Sequence, residues 1–344
     1  MSALLHVDVA SCADLSDHDL EEVAALLTVA DANRSPGDPP VSSAQLRDDE
    51  ATLPAWERAW RANARDADGR LLGSAALFLE DREDNRHLAW VETAVHPDHR
   101  RGGTGTALLA SLLPTIVADG RTVVMGGTPE GTPGAAFAAA LGFVVGLTEH
   151  RNRARTDELP VDLLRSWADG GAPGYSLLAI DGPIPDDLLE PYAALLTVMN
   201  EAPRGDLTMD DDDVTPDELR ALHAAEVAKG TLRWTLVARH DATGELAGLT
   251  ELLLPRHQRW RAAQDNTGVA TAHRGHGLGR VLKATNALRL LDERPDALVI
   301  ETWNAGVNEH MLAINHAMGF RAEAVQQIVE AETASLAERL DVRP

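Results

Sequence analysis

Two short segments carry the residue types needed to hold an anion: HRRGGTGTALL from His99 and HRGHGLGRVLK from His273. Each sets an Arg, then two glycines one residue apart, ahead of an apolar helical run. The first N–H groups of a helix lack intrahelical partners and sit at the positive end of its dipole. Gly103 and Gly105, or Gly277 and Gly279, have no Cβ to keep a phosphate from those amides. Arg100 and Arg274 can add charge-assisted bonds. The chemistry predicted is recognition of a pyrophosphate. A P-loop would need GxxxxGK[ST], which neither copy has. A dinucleotide fingerprint would need a third glycine where Leu108 and Leu282 stand, although Glu301 lies near the place of a ribose-binding acid. Ordinary tight turns also use glycine, but two copies in matching contexts favour a ligand.

The loops belong to a longer repeat. AALLTV occurs at 24–29 and 193–198, DGRLLGSAALFLE at 68–80 answers TGELAGLTELLLP at 243–255, and LGF at 141–143 answers MGF at 318–320. The order is the same in both halves, so one unit of about 150 residues, an ordinary domain size, is written twice. The Pro- and Gly-rich stretch RTDELPVDLLRSWADGGAPGYS reads as the seam. The expected layout is a first domain over 1–155, a linker over 156–175 and a second domain over 176–344.

Each half predicts two helices and then a hairpin, its strands joined by DADG or DATG. A strand ending at Val95 or Val269 follows, then the glycine loop, a helix, a short apolar strand, a last helix and a closing strand. The class is α/β (α+β): two tandem mixed, mostly antiparallel sheets flanked by helices.

A formal net charge of −23 excludes a phosphate-binding surface for nucleic acid. The same surplus would steer a cationic substrate, and it is also what solubility alone would give, the weightier reading. DDDD at 210–213 reads as a solvated loop ahead of the helix announced by TPDELRALHAAEVAKG. One cysteine, Cys12, excludes an internal disulfide and thiolate metal sites. The start has no basic n-region, and no apolar run approaches the ~20 residues needed to cross a bilayer, so a cytoplasmic location without membrane partners is expected.

Arg100-Arg-Gly-Gly103-Thr-Gly105 and Arg274-Gly-His-Gly277-Leu-Gly279 resemble the Arg-x-x-Gly-x-Gly loop of the GCN5-related N-acetyltransferase (GNAT) superfamily. VHPDHR resembles the family's strand-end Val-x-Pro, which VATAHR in the second half lacks; LGF and MGF resemble its closing motif. The likeness covers nearly the whole chain and is similar in layout to mycothiol-synthase-like tandem acetyltransferases of actinobacteria. It implies acetyl-CoA as cosubstrate. The pyrophosphate would fall to Arg100, Arg101, Gly103, Thr104, Gly105 and Thr106 in the first half. In the second half it would fall to Arg274, Gly275, His276, Gly277, Leu278, Gly279 and Arg280. The pantetheine arm would run along the strands ending at Val95 and Val269, and a backbone N–H near a strand end would polarise the thioester. Asn304 and Asn308 resemble residues that contact the arm or its phosphates; helix capping would also explain Asn308.

Transfer to an amine needs a base for the ammonium proton and an exit for the thiolate. Glu251 stands where the first half has Ala76 and is the candidate base, provided burial raises it; a salt-bridged Glu on a half-exposed strand would look the same. Many family members carry a tyrosine acid five residues before the closing Phe. Here Asn315 and Ala138 occupy that position, which leaves the acid unassigned. The first half has Gly131 at the position of Asn308. The second half is therefore the expected catalytic one, against which stands Glu92 beside the first cleft. His96/His99 and His273/His276 lack a third ligand at metal spacing, so no metal is expected. The leading expectation is an acetyl-CoA-dependent N-acetyltransferase for the primary amine of a small molecule. The amine would enter near ADANRSPGDPP and MNEAPRGDLTMDDDD. The alternative is a non-catalytic acyl-CoA-binding or regulatory module, and the sequence carries no sign of the oligomeric state.

Overall fold

The structure is a computed structural model that describes residues 5–31, 37–305 and 309–342. The chain runs β1 (His6–Ser11), α1 (Asp17–Asp31), α2 (Ser43–Ala51), β2 (Glu57–Arg65), β3 (Leu71–Glu80), β4 (Leu88–Val95), α3 (Thr104–Ala118), β5 (Val123–Pro129), α4 (Pro133–Ala140) and β6 (Val144–Arg155). It continues with α5 (Val161–Gly170), β7 (Tyr175–Asp181), α6 (Asp186–Leu196), α7 (Pro216–Lys229), β8 (Thr231–His240), β9 (Leu246–Pro255) and β10 (Arg261–Val269). The last elements are α8 (Leu278–Glu293), β11 (Val299–Ala305), α9 (Glu309–Ala317), β12 (Arg321–Glu332) and α10 (Thr333–Arg339).

The chain forms two compact units, one of residues 1–148, 205–210 and 326–344, the other of 149–204 and 211–325. In the first, strands follow the order β1-β2-β3-β4-β5-β12; in the second, β6-β11-β10-β9-β8-β7. Pairing is antiparallel except β4 with β5 and β10 with β11. The predicted hairpins form as expected, and Gly69 and Gly244 supply the left-handed turn residues at φ 84° and 79°.

Apolar cores hold each unit together. In the first, Leu77, Leu79, Leu108, Leu112, Leu113 and Ile116 pack in one cluster, while Leu20, Val23, Leu26 and Leu46 from α1 and α2 pack in another. In the second, Leu164, Leu252, Ile300, Ile314 and Phe320 form one cluster, and Leu189, Tyr192, Leu219 and Leu249 another. Glycine sets how closely a helix can approach: a Cβ on Gly73 would lie 2.9 Å from the Thr104 side chain.

The units do not follow the expected boundaries. β6, expected to close the first domain, pairs with β11 from Val299↔Arg155 to Ala305↔Glu149. β12, expected to close the second, pairs with β5 from Gln326↔Pro129 to Glu332↔Val123, and α10 then adds Leu336 to the first unit's core. Each sheet thus obtains its last strand from the other half of the sequence. Residues 156–175, expected as a linker, contain α5, whose Leu164 is fully buried. Gly171 ends that helix at φ 56°. The acidic loop is divided too. Gly205–Asp210 belongs to the first unit, where Thr208 donates from N and Oγ1 to Glu330, and Asp210 N donates to Asn85 Oδ1.

Because Leu336 is fully buried against α3 and its neighbours, Leu336→Ala should cost about 2–5 kcal/mol. Denaturant unfolding should show the loss in the first unit, with α8 amides in the second keeping their hydrogen-exchange protection.

Candidate functional site

The two glycine loops share a backbone design. In each, the Arg folds back and its Nε donates to the last strand carbonyl: Arg100 to Val95 O and Arg274 to Val269 O, both 3.2 Å. Gly103 and Gly277 occupy the N-cap positions of α3 and α8 at φ 89° and 77°, with no side-chain cap on the following amides. Those amides are the donors an anion would use. Gly275 turns the second loop at φ 83°, and Arg101 occupies the same left-handed region at φ 66° in the first, a conformation costly for a residue with a side chain. The second glycine of each motif also faces a neighbouring helix. A Cβ on Gly105 would lie 3.2 Å from the Phe137 ring, tight enough that glycine lets α4 sit close to α3, whereas one on Gly279 would lie at an ordinary contact distance of 3.5 Å from Ile314. Thr104 and Leu278 are buried, whereas Thr106 is exposed. Arg280 stacks over the Trp167 ring at 5.8 Å, and Arg274 is engaged by the Glu201 carboxylate.

Beside each loop the two parallel strands meet briefly and then part. β4 pairs with β5 from Leu88↔Val123 to Trp90↔Met125 only, and β10 with β11 from Arg261↔Val299 to Ala263↔Glu301 only. Beyond these pairs the backbone edges are open, a slot for an extended ligand arm with amide groups of its own. The clefts differ in one respect. β10 bulges between Gln264 and Thr267, setting Asp265 and Asn266 opposite Glu251, whereas β4 runs in unbroken register from Gly73↔Val95 to Phe78↔Trp90. A bulge redirects side chains and frees backbone groups from the ladder. Gln264 secures it by donating from Nε2 to Glu251 O at 2.6 Å.

The bulge lies on a buried charge cluster. Glu251 is only 1% exposed and is fully engaged: Arg233 Nη1 is 2.6 Å away, and Tyr192 OH and Asn266 Nδ2 donate to it at 2.5 and 2.8 Å. Burial alone would raise its carboxyl, but the Arg233 charge and these hydrogen bonds hold it below the ordinary range. The expectation for Glu251 required burial to raise it, and here the ion pair overrides burial. Arg233 also binds Glu226 through Nε at 3.0 Å and Asp265 at 3.1 Å. Asp265 is the carboxyl of this group that meets solvent, with 36% of its side chain exposed. Its carboxyl is raised above the ordinary range, by desolvation and by the like charge of Glu251, and its exposure leaves the Glu251 charge as the cause the geometry supports.

The first unit repeats only the frame. Arg61 binds Glu50 as Arg233 binds Glu226, but its Nη1 turns to Ser74 Oγ at 2.9 Å because Ala76 replaces Glu251. Glu92 pairs with Ala76 and accepts from Trp90 Nε1 at 3.2 Å. Cys12, buried beside this pair, is pushed up to about 12 by burial and the Glu50 charge and is no nucleophile. Sequence reasoning missed Arg233, Tyr192 and Asp265. The available signal was an Arg written into both apolar β2 and β8 strands, WRANAR and RWTLVAR.

Asn315 is fully buried in α9. Its Nδ2 donates to Asn304 Oδ1 at 2.8 Å, and Asn152 Nδ2 donates to the same oxygen at 3.3 Å. Two donors fix the Asn304 amide so that its own N–H groups are available elsewhere. Asn315 Oδ1 has no partner among the described residues. An amide cannot release a proton to a thiolate, so Asn315 does not replace a tyrosine acid. Asn308 lies outside the described residues. Among the described residues there is no helix long and apolar enough to cross a membrane and no group of three metal-ligating side chains.

The model of the acetyltransferase (GNAT) family matches residues 29–143. Mycothiol acetyltransferase of Stackebrandtia nassauensis is 53% identical over 49 residues, 14% of this chain and 15% of that protein's own length. A tandem GNAT protein from the clavulanic acid biosynthesis pathway has a solved structure that covers 96% of this chain and 99% of its own, with TM-score 0.78 and 27% identity. A GCN5-related N-acetyltransferase from Sphaerobacter thermophilus covers 95% and 96%, with TM-score 0.69 and 15% identity, a likeness of fold.

Glu251→Ala should destabilise the second unit by about 1–3 kcal/mol, because it takes from buried Arg233 one of three carboxylate partners, Glu226 and Asp265 remaining, and leaves Tyr192 OH without its acceptor. Since Glu251 is depressed in the folded state, the stability it contributes is present above the ordinary carboxylate range near ~4.3 and lost as pH falls through its folded value. Denaturant titrations of both proteins should converge at low pH.

Proposed function

We propose that this chain is a tandem member of the GNAT superfamily and an acetyl-CoA-dependent N-acetyltransferase acting on the primary amine of a small molecule. The second unit carries the reaction. One observation supports that choice most directly: of the two parted clefts, only the one beside β10 has the bulge and the Arg233–Glu251–Asp265 cluster.

The residues divide the work as follows. The N-terminal amides of α8 receive the pyrophosphate, and the open edge of β10 receives the amides of the pantetheine arm. A backbone N–H released by the bulge polarises the thioester oxygen, a stabilisation that grows as negative charge develops there. The attacking amine arrives as an ammonium ion and must lose a proton. Asp265 accepts it at the carboxylate, since its raised affinity for protons suits a base better than the depressed Glu251. Glu251 and Glu226 hold Arg233, and Arg233 in turn orients Asp265. The three carboxylates exceed the single Arg in charge, which favours a cationic acceptor. A CoA-like thiol, with a pKa near ~8.5, leaves as thiolate and takes its proton from solvent. Asn315 and Ala138, where a tyrosine acid would stand, favour a second reading, a binding module without turnover.

Appearance of free thiol when acetyl-CoA and an amine library are mixed with the protein tests the function; binding without thiol release on any amine would support the second reading. Gly277→Asp should abolish second-site binding and activity by steric block and repulsion, while Gly103→Asp leaves most activity. If Gly103→Asp is the inactivating change, the assignment of the second unit fails. Asp265→Asn should lower kcat about 10²- to 10³-fold and remove an acid limb that lies above the ordinary carboxylate range in its pH profile.

A further inference from the structure

Trp303 stands on β11 where that strand has left β10, and it is exposed, with 37% of its surface open to solvent. No cation among the described residues covers its ring, although Trp167, Trp234 and Trp260 each carry an arginine. The strand register decides which way it faces. Ala263 on β10 pairs with both Leu253 and Glu301, and Leu253 pairs with Arg233. Residues opposite one another across a sheet share a face, and alternate residues along a strand return to it. Trp303, two residues past Glu301, therefore lies on the face that carries Arg233 and the Asp265 carboxylate bound to it. On this face one side of the open cleft presents Asp265 and the other presents Trp303.

β6 extends the Trp303 side with a carboxylate. It pairs with β11 in unbroken register, Glu301↔Arg153, Trp303↔Arg151 and Ala305↔Glu149, so Glu149 shares the face, two residues farther along than Trp303. Among the described residues none gives Glu149 a hydrogen bond or an ion pair, and burial raises its carboxyl above the ordinary range. The cations nearby are committed elsewhere: Arg153 and Arg261 bind Glu301, and Arg151 and Arg153 reach Glu323 at 3.8 and 3.4 Å. A half-buried carboxylate beside an uncovered indole face is short of one positive charge. The first unit has neither group. In matching register Gly127 stands for Trp303 and Gln326 for Glu149, and the Gln326 side chain fills the space that a side chain on Gly127 would need. We propose that the acceptor is a small diamine, and that Trp303 and Glu149 hold its second ammonium group while the reacting amine meets Asp265. A strand rises about 3.3 Å per residue, which puts Trp303 about 7 Å and Glu149 about 13 Å along β11 past its last pair with β10. A short methylene chain bridges that reach and lies along the open strand edge.

This inference rests on the acetyltransferase reading with the second unit as its site, and a paired substrate series separates the two. Thiol release from acetyl-CoA by the full chain is measured with α,ω-diamines of increasing length and with the monoalkylamines that match them. At the best length the diamine should exceed its monoamine about tenfold or more in kcat/KM, with the difference lying in KM. Trp303→Leu and Glu149→Gln should each erase most of that preference, whereas Trp303→Phe, which keeps a π face, should retain it. The ratio of the two substrates is the readout, so a general loss of active protein does not imitate the effect. Equal kcat/KM for the two series overturns the inference and leaves the acetyltransferase reading standing. So does a preference that survives Trp303→Leu or Glu149→Gln, or one that Trp303→Phe erases as fully as Trp303→Leu. Absence of thiol release with every amine overturns the acetyltransferase reading itself, and the inference with it.

Discussion

Two neighbouring parallel strands that pair at their first residues and then diverge impose the arrangement of everything around them. Where β10 leaves β11, neither strand can satisfy its backbone through the other, and unpaired amides in a cleft are costly unless something polar enters. The helix that follows begins with its own unpaired N–H groups at Gly277, so two sets of donors open on one side of the second unit. A ligand with a chain of amides ending in phosphates answers both demands at once.

The bulge adds a second constraint. It places Asp265 and Asn266 on one residue of β9, and that residue, Glu251, is buried with Arg233. Buried ion pairs are poor sources of net stability but strong sources of order, since losing one partner strands the other. The first unit shows the same frame with Ala76 in place of the central carboxylate. Arg61 and Glu50 persist, Ser74 and Asn63 absorb the spare donor, and the strand runs without a bulge. The Arg61–Glu50 pair ties helix α2 to β2 in this unit.

Much of this was legible in the sequence because it is local. The repeated Arg-x-x-Gly-x-Gly segments, the Asp- and Gly-bearing hairpin turns and the periodic helices each specify their own conformation. The bulge was not legible, since one extra residue between Gln264 and Thr267 alters no hydrophobic pattern. Nor was the state of Glu251: the strand pattern fits a cleft base and a salt-bridged residue alike, and does not show that Arg233, Tyr192 and Asn266 saturate it. The Phe137 ring packed against Gly105 was not legible either, since only the fold brings α4 to that turn. The partners of β6 and β12 escaped for a similar reason. VVGLTEHRNRAR and RAEAVQQIVEAE are both plausible closing strands, and nothing in either names the edge it will join.

That trade of closing strands changes what the duplication means for inheritance. A gene copied in tandem begins as two modules, either of which can be cut away or recombined without loss to the other. Here the first compact unit draws a strand and a helix from the end of the chain, and the second draws a strand from the middle. Neither half is a separable cassette any longer. The first copy can differ in its charge cluster, yet it cannot be discarded, because its closing strand completes the sheet of the second unit.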